Sequence, residues 1–443
     1  MSYKIRRWLY RFFILLFIIL TTYTSLYATG YQINLSGPWR LKRLLVKTGT
    51  LALDSQPTGA NIFINEKPQA TFSLPRFRTD NVTTPAKIKN LAPGDYEVRL
   101  EKNGYWPWEK KLTINAEQTT YAEDINLFKK DSILNILSCS CQEIDLSPSR
   151  RWVLLKQGHK IIDLKNGREM NLDILENIDN PEWLESRDQI LINQQIFDLS
   201  NGQNTDYRAL IGNDIKNLYY EERDKRLYYQ DLSTISYFDL NKKTSTALLS
   251  AGPYLTYSVQ GDYIFYLKAR AKATILGSYR LSDQNRKEIE LPMTGDYRFW
   301  DESGATLNLW DRKNSRLFLF DLASLRLTRD EIRNFRGGLW LQPGQLLYYT
   351  DFEIYLYDVK QNNNTLLNRI GTPLTGLAWQ AKNNYLIYST KASINSLDLA
   401  TDNITELLGA SDISSIFLDS KNSTLYFTAE IKDQPGLYKM IVQ

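Results

Sequence analysis

The residue types that most often do chemistry are scarce in this sequence, which has one histidine, His159, and two cysteines, Cys139 and Cys141. A Ser-His-Asp triad needs a titratable imidazole beside its nucleophile, and a four-cysteine zinc site needs two more thiols. His159 has no histidine or cysteine near it in sequence, so we expect no ligand role for it. On a strand, Cys139 and Cys141 would lie about 7 Å apart. A disulfide normally spans less than that, so the spacing favours two small, unbridged side chains over a redox pair.

Aspartate recurs at regular positions, and its carboxylates are the other candidates for chemistry. An aspartate between apolar residues closes one strand after another, at Asp163, Asp198, Asp239, Asp321, Asp358 and Asp398. Such a set could be a ring of metal-binding or proton-transferring carboxylates. An aspartate at the end of a strand, however, also accepts hydrogen bonds from the turn amides that follow it. We therefore interpret the six as structural turn residues, and we expect no metal and no cofactor.

The charge balance argues against a nucleic-acid partner. The chain of 443 residues contains 54 Lys and Arg against 50 Asp and Glu, and it is 43% hydrophobic. Residues 1–43 hold seven of the basic residues and no acidic one, so the rest of the chain has 47 basic against 50 acidic residues. Nucleic-acid binding requires a clear basic excess over a domain. We expect none.

The spacing of the repeated aspartate phrase predicts the architecture of residues 131–443. With two weaker copies at Arg280 and Lys439, the phrase recurs at steps of 35, 41, 41, 41, 37, 40 and 41 residues. A period near 40 residues with several short strands per unit is typical of β-propeller blades. Eight copies predict an all-β propeller of eight blades, with seven as the alternative.

The last repeat ends at Gln443 directly after its third strand, which would leave one blade a strand short. An unpaired sheet edge is a liability that a closed ring removes. The apolar segment 132–137 precedes the first strand of the first repeat and has the right length. We predict that it supplies the missing fourth strand and closes the propeller.

Residues 1–30 have the pattern of a membrane anchor. A basic, aromatic stretch with Arg6, Arg7 and Arg11 precedes an uncharged apolar run over residues 12–28. Counted from Trp8, the span is about the length that crosses a bilayer. The positive-inside rule places the N-terminus in the cytoplasm and the rest of the chain outside it. A cleaved signal peptide is the alternative, although Leu26 is a poor residue at the −3 position of a cleavage site. Residues 31–48 are interpreted as a juxtamembrane linker.

Residues 49–129 alternate short strands with Gly and Pro turns and show no helical period, which predicts a small β-sandwich. Its motif positions are Pro57, Gly59, Ala60, Pro85, Pro93, Gly94 and Gly104. Together with the Ile62–Asn65 strand, a Pro-Gly-x-Tyr turn and a Gly-Tyr turn, they resemble the PEGA domain, with Thr58 in place of the glutamate of that name. The resemblance implies an exported protein and carries over no catalytic residue. The blades resemble TolB-like or WD40-like propellers in period and strand pattern alone.

Three aromatic residues of this first domain, Tyr105, Trp106 and Trp108, are candidates for an exposed platform that binds a glycan or a peptide. The alternative is that Trp106 and Trp108, two residues apart on a strand, face the core of the sandwich.

These features together predict a non-catalytic, membrane-anchored, extracytoplasmic binding or scaffold protein of the cell envelope. Its propeller face would recognise a protein or a cell-wall or glycan polymer, since propeller loops form surfaces suited to binding. The alternative is a glycan hydrolase or lyase that uses a pair of carboxylates on the propeller face, one with a raised pKa.

Overall fold

The computed structural model describes most of the chain. The described residues are 3–33, 45–73, 78–130, 133–139, 144–155, 160–172, 181–184, 188–193, 195–212, 215–221, 223–231, 233–250, 252–291, 295–300, 306–328, 331–419, 421 and 423–443. His159 and Cys141 lie outside them.

The N-terminal helix, Tyr3–Ala28, is long and apolar enough to cross a membrane, and its side chains have almost no protein contacts. The two ends of the segment that follows the helix, residues 31–48, form strands. Tyr31–Ile33 pairs antiparallel with Leu45–Lys47, and the Thr48 amide donates to the Gly30 carbonyl at 2.8 Å. The end of the helix is therefore tied directly to the start of the next domain.

The sandwich, residues 49–129, consists of two sheets that pack on a common core. The first sheet has the order Trp108–Ile114, Gly94–Glu101, Asn61–Ile64 and Lys67–Pro68, and the second has the order Thr119–Asn126, Gly49–Gln56 and Ala86–Leu91. A hairpin of Ala70–Ser73 and Arg78–Asn81 is added to these. Leu51, Val98, Leu100 and Trp108 are fully buried between the sheets.

The glycine- and proline-rich motif of the sandwich forms a hydrogen-bonded turn. Thr84 accepts from the Gly59 amide at its carbonyl and from the Ala60 amide at its hydroxyl, and that hydroxyl lies 2.6 Å from the Ser55 hydroxyl. Gly59 has φ of 84° and Gly94 has φ of 154°, which L side chains rarely adopt. The other motif residues, Pro57, Pro85, Pro93 and Gly104, lie at neighbouring turns and bends.

Residues 134–441 contain eight four-stranded antiparallel sheets among the described residues, and we number them blades 1 to 8. Strands a to d of blades 1–4 are Ile144–Leu146, Trp152–Leu155, Lys160–Asp163 and Glu169–Asn171; Glu182–Leu184, Gln189–Ile192, Gln195–Asp198 and Gln203–Asp206; Lys216–Glu221, Arg226–Gln230, Ile235–Asp239 and Thr244–Leu249; and Tyr254–Gln260, Tyr263–Arg270, Ala273–Arg280 and Arg286–Glu290. Those of blades 5–7 are Tyr297–Phe299, Leu307–Asp311, Arg316–Phe320 and Ile332–Arg333; Gly337–Gln342, Gln345–Tyr349, Glu353–Asp358 and Asn363–Arg369; and Leu374–Gln380, Tyr385–Thr390, Ser393–Asp398 and Asn403–Gly409. A short helix, Arg208–Ile211, connects blades 2 and 3.

Blade 8 joins the two ends of the repeat region. Its strands a to c are Ile416–Leu418, Thr424–Ile431 and Gln434–Ile441, and its strand d is Leu134–Ser138, from before blade 1. Leu134 pairs with Lys439 and Ser138 with Gly436, with one register shift between them. The edge that strand c would otherwise expose is therefore paired.

Hydrophobic clusters join every neighbouring pair of blades and complete a ring. Examples of the side chains that meet in each cluster, from blades 1 and 2 round to blades 8 and 1, are Leu154 with Ile190, Leu191 with Leu218, Tyr228 with Tyr257, Leu276 with Leu309, Leu319 with Leu346, Leu347 with Leu386, Ile387 with Phe427, and Leu437 with Val153. Strands a of several neighbouring blades also contact each other, so these strands lie at the centre. The fold is a β-propeller.

The prediction of two unbridged thiols is wrong. Cys139 is disulfide-bonded, and the sequence offers only Cys141 as its partner. The spacing argument assumed that both residues continue a regular strand. Strand d of blade 8 ends at Ser138, one residue before Cys139.

Gly436 tests the closing strand pair directly. A Cβ at this position would lie 2.6 Å from the Leu137 carbonyl oxygen and 3.0 Å from Asn135 Nδ2. Because the crowding atoms belong to strand d, Gly436→Ala should destabilise the full chain by about 1–3 kcal/mol in denaturant unfolding. The matched control is Gly371→Ala, where an added Cβ meets nothing within 4 Å. Equal effects of the two substitutions would contradict the closing pair.

Candidate functional site

The sandwich is joined to the propeller by a buried asparagine at the end of its last strand. The backbone amide of Asn126 donates to Asp398 Oδ2 at 3.1 Å, and its side-chain Nδ2 donates to the Asn383 carbonyl at 2.9 Å. Its Oδ1 accepts from Gln443 Nε2 at 3.0 Å. Asn126 is 3% exposed, so these bonds are made out of contact with water. A single side chain therefore connects the sandwich to blade 7 and to the last residue of the chain.

Aromatic packing surrounds this polar contact. The Phe128 ring meets the buried Tyr385 ring edge-on, with centroids 4.9 Å apart, inside the cluster shared by blades 7 and 8. Trp106 packs against the same cluster, and Lys130 Nζ lies 4.7 Å from the Trp106 ring centroid. The Lys129 amide donates to the Val442 carbonyl at 3.0 Å. We call the contact made by residues 126–130 and Trp106 the domain junction.

The three aromatic residues considered as a binding platform do not form an exposed surface. Trp108 is 2% exposed in the core of the sandwich, and Tyr105 is partly buried against that core. Trp106 faces the propeller, so it is neither a platform nor, as the alternative had it, part of the sandwich core. The pattern of alternating side chains could not reveal this, because Trp106 precedes the strand that begins at Trp108.

The junction lies on one identified face of the propeller. In a four-stranded antiparallel sheet, the a–b and c–d turns lie at one end of the strands and the b–c turn at the other. Asn383 is in the a–b turn of blade 7 and Asp398 begins its c–d turn. The sandwich therefore contacts the face formed by the a–b and c–d turns, which we call the proximal face. The opposite face, formed by the b–c turns and the connections between blades, is the distal face.

The other end of the sandwich contacts the N-terminal helix. Gly49–Gln56 and Thr119–Asn126 run parallel, each eight residues long, so both begin near the helix and end near the propeller. At the first end Thr48 bonds to Gly30 and Lys47 pairs with Glu117; at the second the Leu127 amide donates to the Gln56 carbonyl. Eight residues of strand span about 26 Å. The sandwich separates the helix from the propeller by about that distance.

The six repeated aspartates accept hydrogen bonds from turn amides on the proximal face. Their donors are the amides of Lys165, Ser200, Asn241, Ser324, Gln361 and Ala400, at 2.8 to 3.0 Å. The bond from the Lys242 amide lowers the pKa of Asp239, and the bond from the Ser200 hydroxyl lowers that of Asp198. Asp398 has an additional role, because it also binds Asn126 of the sandwich.

Asp163 belongs to an ion-pair network between blades 1 and 2. Its carboxylate is 1% exposed and accepts from Arg151 Nη2 at 2.9 Å, while Arg151 Nη1 reaches Asp188 of blade 2 at 2.8 Å. Burial alone would raise the pKa of Asp163, but the hydrogen bonds from Arg151 and the Lys165 amide outweigh burial and lower it. The carboxylate is therefore held ionised.

The structure offers no support for an acid–base carboxylate pair. Every carboxyl group among the described residues whose pKa is shifted has a lowered pKa, Glu288, Glu331 and Glu353 included. A general acid in glycan cleavage needs a raised pKa so that it can hold its proton. The described part of the chain also has no group of three or more His, Cys, Asp and Glu side chains placed to hold a metal ion.

Comparison with known proteins identifies the sandwich and finds propellers among the similar solved structures. Residues 48–129 match the PEGA domain. No curated protein matches the chain. Similar solved structures include the C-terminal WD40 domain of Sif2 (11% identity, TM-score 0.45, 70% of this chain and 98% of that chain) and the Dos1 propeller (12%, 0.43, 70% and 94%). Another is an oligogalacturonate lyase from Vibrio parahaemolyticus (9%, 0.39, 71% and 96%). At these identities the likeness concerns the fold alone.

Asn126→Ala should loosen the domain junction. It removes the bonds to Asn383 and Gln443 and leaves these partly buried groups without their partner, at a cost of about 2 kcal/mol. Trypsin cleavage after Lys129 or Lys130 in the full chain should then become at least about tenfold faster. The matched control is Asn363→Ala on an exposed outer strand, which should cleave at the wild-type rate. Unchanged cleavage in Asn126→Ala would show that the junction does not depend on this residue.

Asp163 should stabilise the propeller in a pH-dependent way. Because the folded pKa lies below the usual value near 3.9, the stabilisation is present above about pH 4 and is lost as the pH falls through the folded pKa. Denaturant unfolding should therefore show wild type more stable than Asp163→Asn at pH 7 and pH 5, with the difference shrinking at pH 3. A difference that stays constant from pH 7 to pH 3 would refute this role.

Proposed function

We propose that this protein is a membrane-anchored, extracytoplasmic scaffold that presents the distal face of its propeller to a protein or polymer of the cell envelope. The PEGA domain acts as the spacer between the membrane and the propeller. The proposal includes no catalytic step.

The N-terminal helix supports the membrane part of the proposal. Its apolar side chains, such as Phe13, Leu16 and Ile19, are exposed in the folded chain and need an apolar environment. Arg6, Arg7 and Arg11 lie at its N-terminal end, and no acidic residue does. The positive-inside rule then places the short N-terminal side in the cytoplasm and the PEGA domain and propeller outside.

The observation that carries the proposal is that the PEGA domain is fastened at both ends. Thr48 and Gly30 join it to the helix, and Asn126 joins it to the proximal face of the propeller. A domain that merely followed a flexible linker would need neither contact. With both in place, the proximal face points towards the membrane, and the distal face points away from it.

Two properties of the full chain test the membrane part of the proposal. A C-terminal alkaline phosphatase fusion should be active, because that enzyme folds only outside the cytoplasm, and the chain should remain in the membrane pellet after a carbonate wash. A control variant lacking residues 3–28 should give an inactive, soluble fusion. Release of the intact exported chain into the soluble fraction, with a new N-terminus near residue 29, would instead establish a cleaved signal peptide.

A further inference from the structure

A group of exposed basic residues lies on the distal face at blades 4 and 5. We call it the distal basic patch, and its members are Arg270, Lys272, Arg298, Arg312, Lys313 and Arg333. Arg270 and Lys272 are at the b–c turn of blade 4, and Arg312 and Lys313 are in that of blade 5. Arg298 begins strand a of blade 5 and Arg333 ends its strand d.

These turns are neighbours in space. Blades 4 and 5 share a hydrophobic cluster in which Leu276 meets Leu309, so their sheets pack face to face, about 10 Å apart. The Arg312 amide donates to the Asp296 carbonyl at 3.0 Å, which holds the b–c turn of blade 5 against the connection from blade 4. The six cations therefore form one patch rather than separate charges.

The patch lacks enough carboxylates to neutralise it. Arg270, Lys272, Arg312 and Lys313 have no carboxylate partner among the described residues. Arg333 shares Glu331 with Arg316, and it remains 73% exposed.

Three further carboxylates lie at this end of the blades, and one of them, Glu290 at the end of strand d of blade 4, is exposed. Arg298 reaches Asp296 only at 3.9 Å. Asp311 is fully buried and binds the Asp296 amide and Asn314. An anion supplied from outside would find several uncommitted donors.

Several other cations near the distal face are paired, whereas Lys391 and Lys432 are exposed at the b–c turns of blades 7 and 8, away from the patch. Arg208 pairs with Asp206, Arg336 with Asp351, and Arg369 with Glu353 at 2.6 Å. The chain beyond residue 43 has a slight acidic excess, so an uncompensated basic cluster does not follow from composition. The charge is concentrated where the proposed orientation places the protein's outward surface.

We propose that the distal basic patch binds an anionic polymer of the cell envelope whose repeating unit carries a phosphate or carboxylate group. Guanidinium groups match both anions, and four of the six cations are arginines. Cations on turns about 10 Å apart suit a chain with repeated charges better than one small anion. This inference rests on the proposed function, because it requires the distal face to lie outside the cell.

The test uses the full chain in nanodiscs of zwitterionic lipid. Binding of poly(glycerol phosphate) and of polygalacturonate is measured by biolayer interferometry, with neutral dextran and polyglutamate as further probes. We expect poly(glycerol phosphate), polygalacturonate or both to bind, more weakly as salt rises. Arg312→Glu with Lys313→Glu should weaken that binding at least about tenfold, since it replaces attraction by like-charge repulsion.

The matched control is Lys165→Glu with Arg168→Glu, which makes the same change of charge in the c–d turn of blade 1 on the proximal face. It should bind as wild type does. Equal loss in both variants, no binding of either polymer by wild type, or binding of polyglutamate alone would overturn the proposal. The last result would indicate an acidic protein partner. None of these outcomes alters the fusion and fractionation results, so failure here is distinguishable from failure of the proposed function.

Discussion

The pairing of Leu134–Ser138 with Gln434–Ile441 is the constraint on which the rest of the structure depends. It joins segments three hundred residues apart and brings the first and last blades together, where Leu437 packs against Val153. It also fixes where the preceding chain must lie. Residues 126–130 run beside the C-terminus, with the Lys129 amide bonded to the Val442 carbonyl, so the PEGA domain has to sit under blades 7 and 8. The strand pairing that closes the ring therefore also positions the PEGA domain.

This arrangement gives the propeller two faces that differ in the residues they carry. The proximal face is occupied by turn aspartates that bind their own backbone and, at Asp398, by the PEGA domain. The distal face carries the shorter b–c turns and, at blades 4 and 5, the distal basic patch. Because both ends of the PEGA domain are hydrogen-bonded, the direction in which the distal face points is set by the fold rather than by a linker. A binding protein gains from this, since a surface held in place loses less entropy when it meets a partner.

The repeating features were predictable from the sequence, and the single contacts were not. A period near 40 residues identifies the blades because every blade consists of the same four strands and packs in the same way. The PEGA turns are identifiable because Gly59 and Gly94 adopt backbone geometries that favour glycine. Asn126 carries no such signal: it is one asparagine between apolar residues, and its partners lie more than 250 residues away. Trp106 was missed for the same reason. The distal basic patch is assembled from several strands and turns, so no linear stretch of sequence shows it, whereas the bridged Cys139 was missed because the spacing rule assumed a continuing strand.

Amide hydrogen exchange across the closing pair tests the account most directly, because ring closure and the position of the PEGA domain both follow from it. In the full chain, the paired amides of Leu134–Ser138 and Gln434–Ile441 should exchange as slowly as those of interior strands such as Tyr385–Thr390. Exchange of Leu134–Ser138 at the rate of a frayed segment, with the interior blades still protected, would mean that the ring is open and that the orientation of the distal face is not fixed.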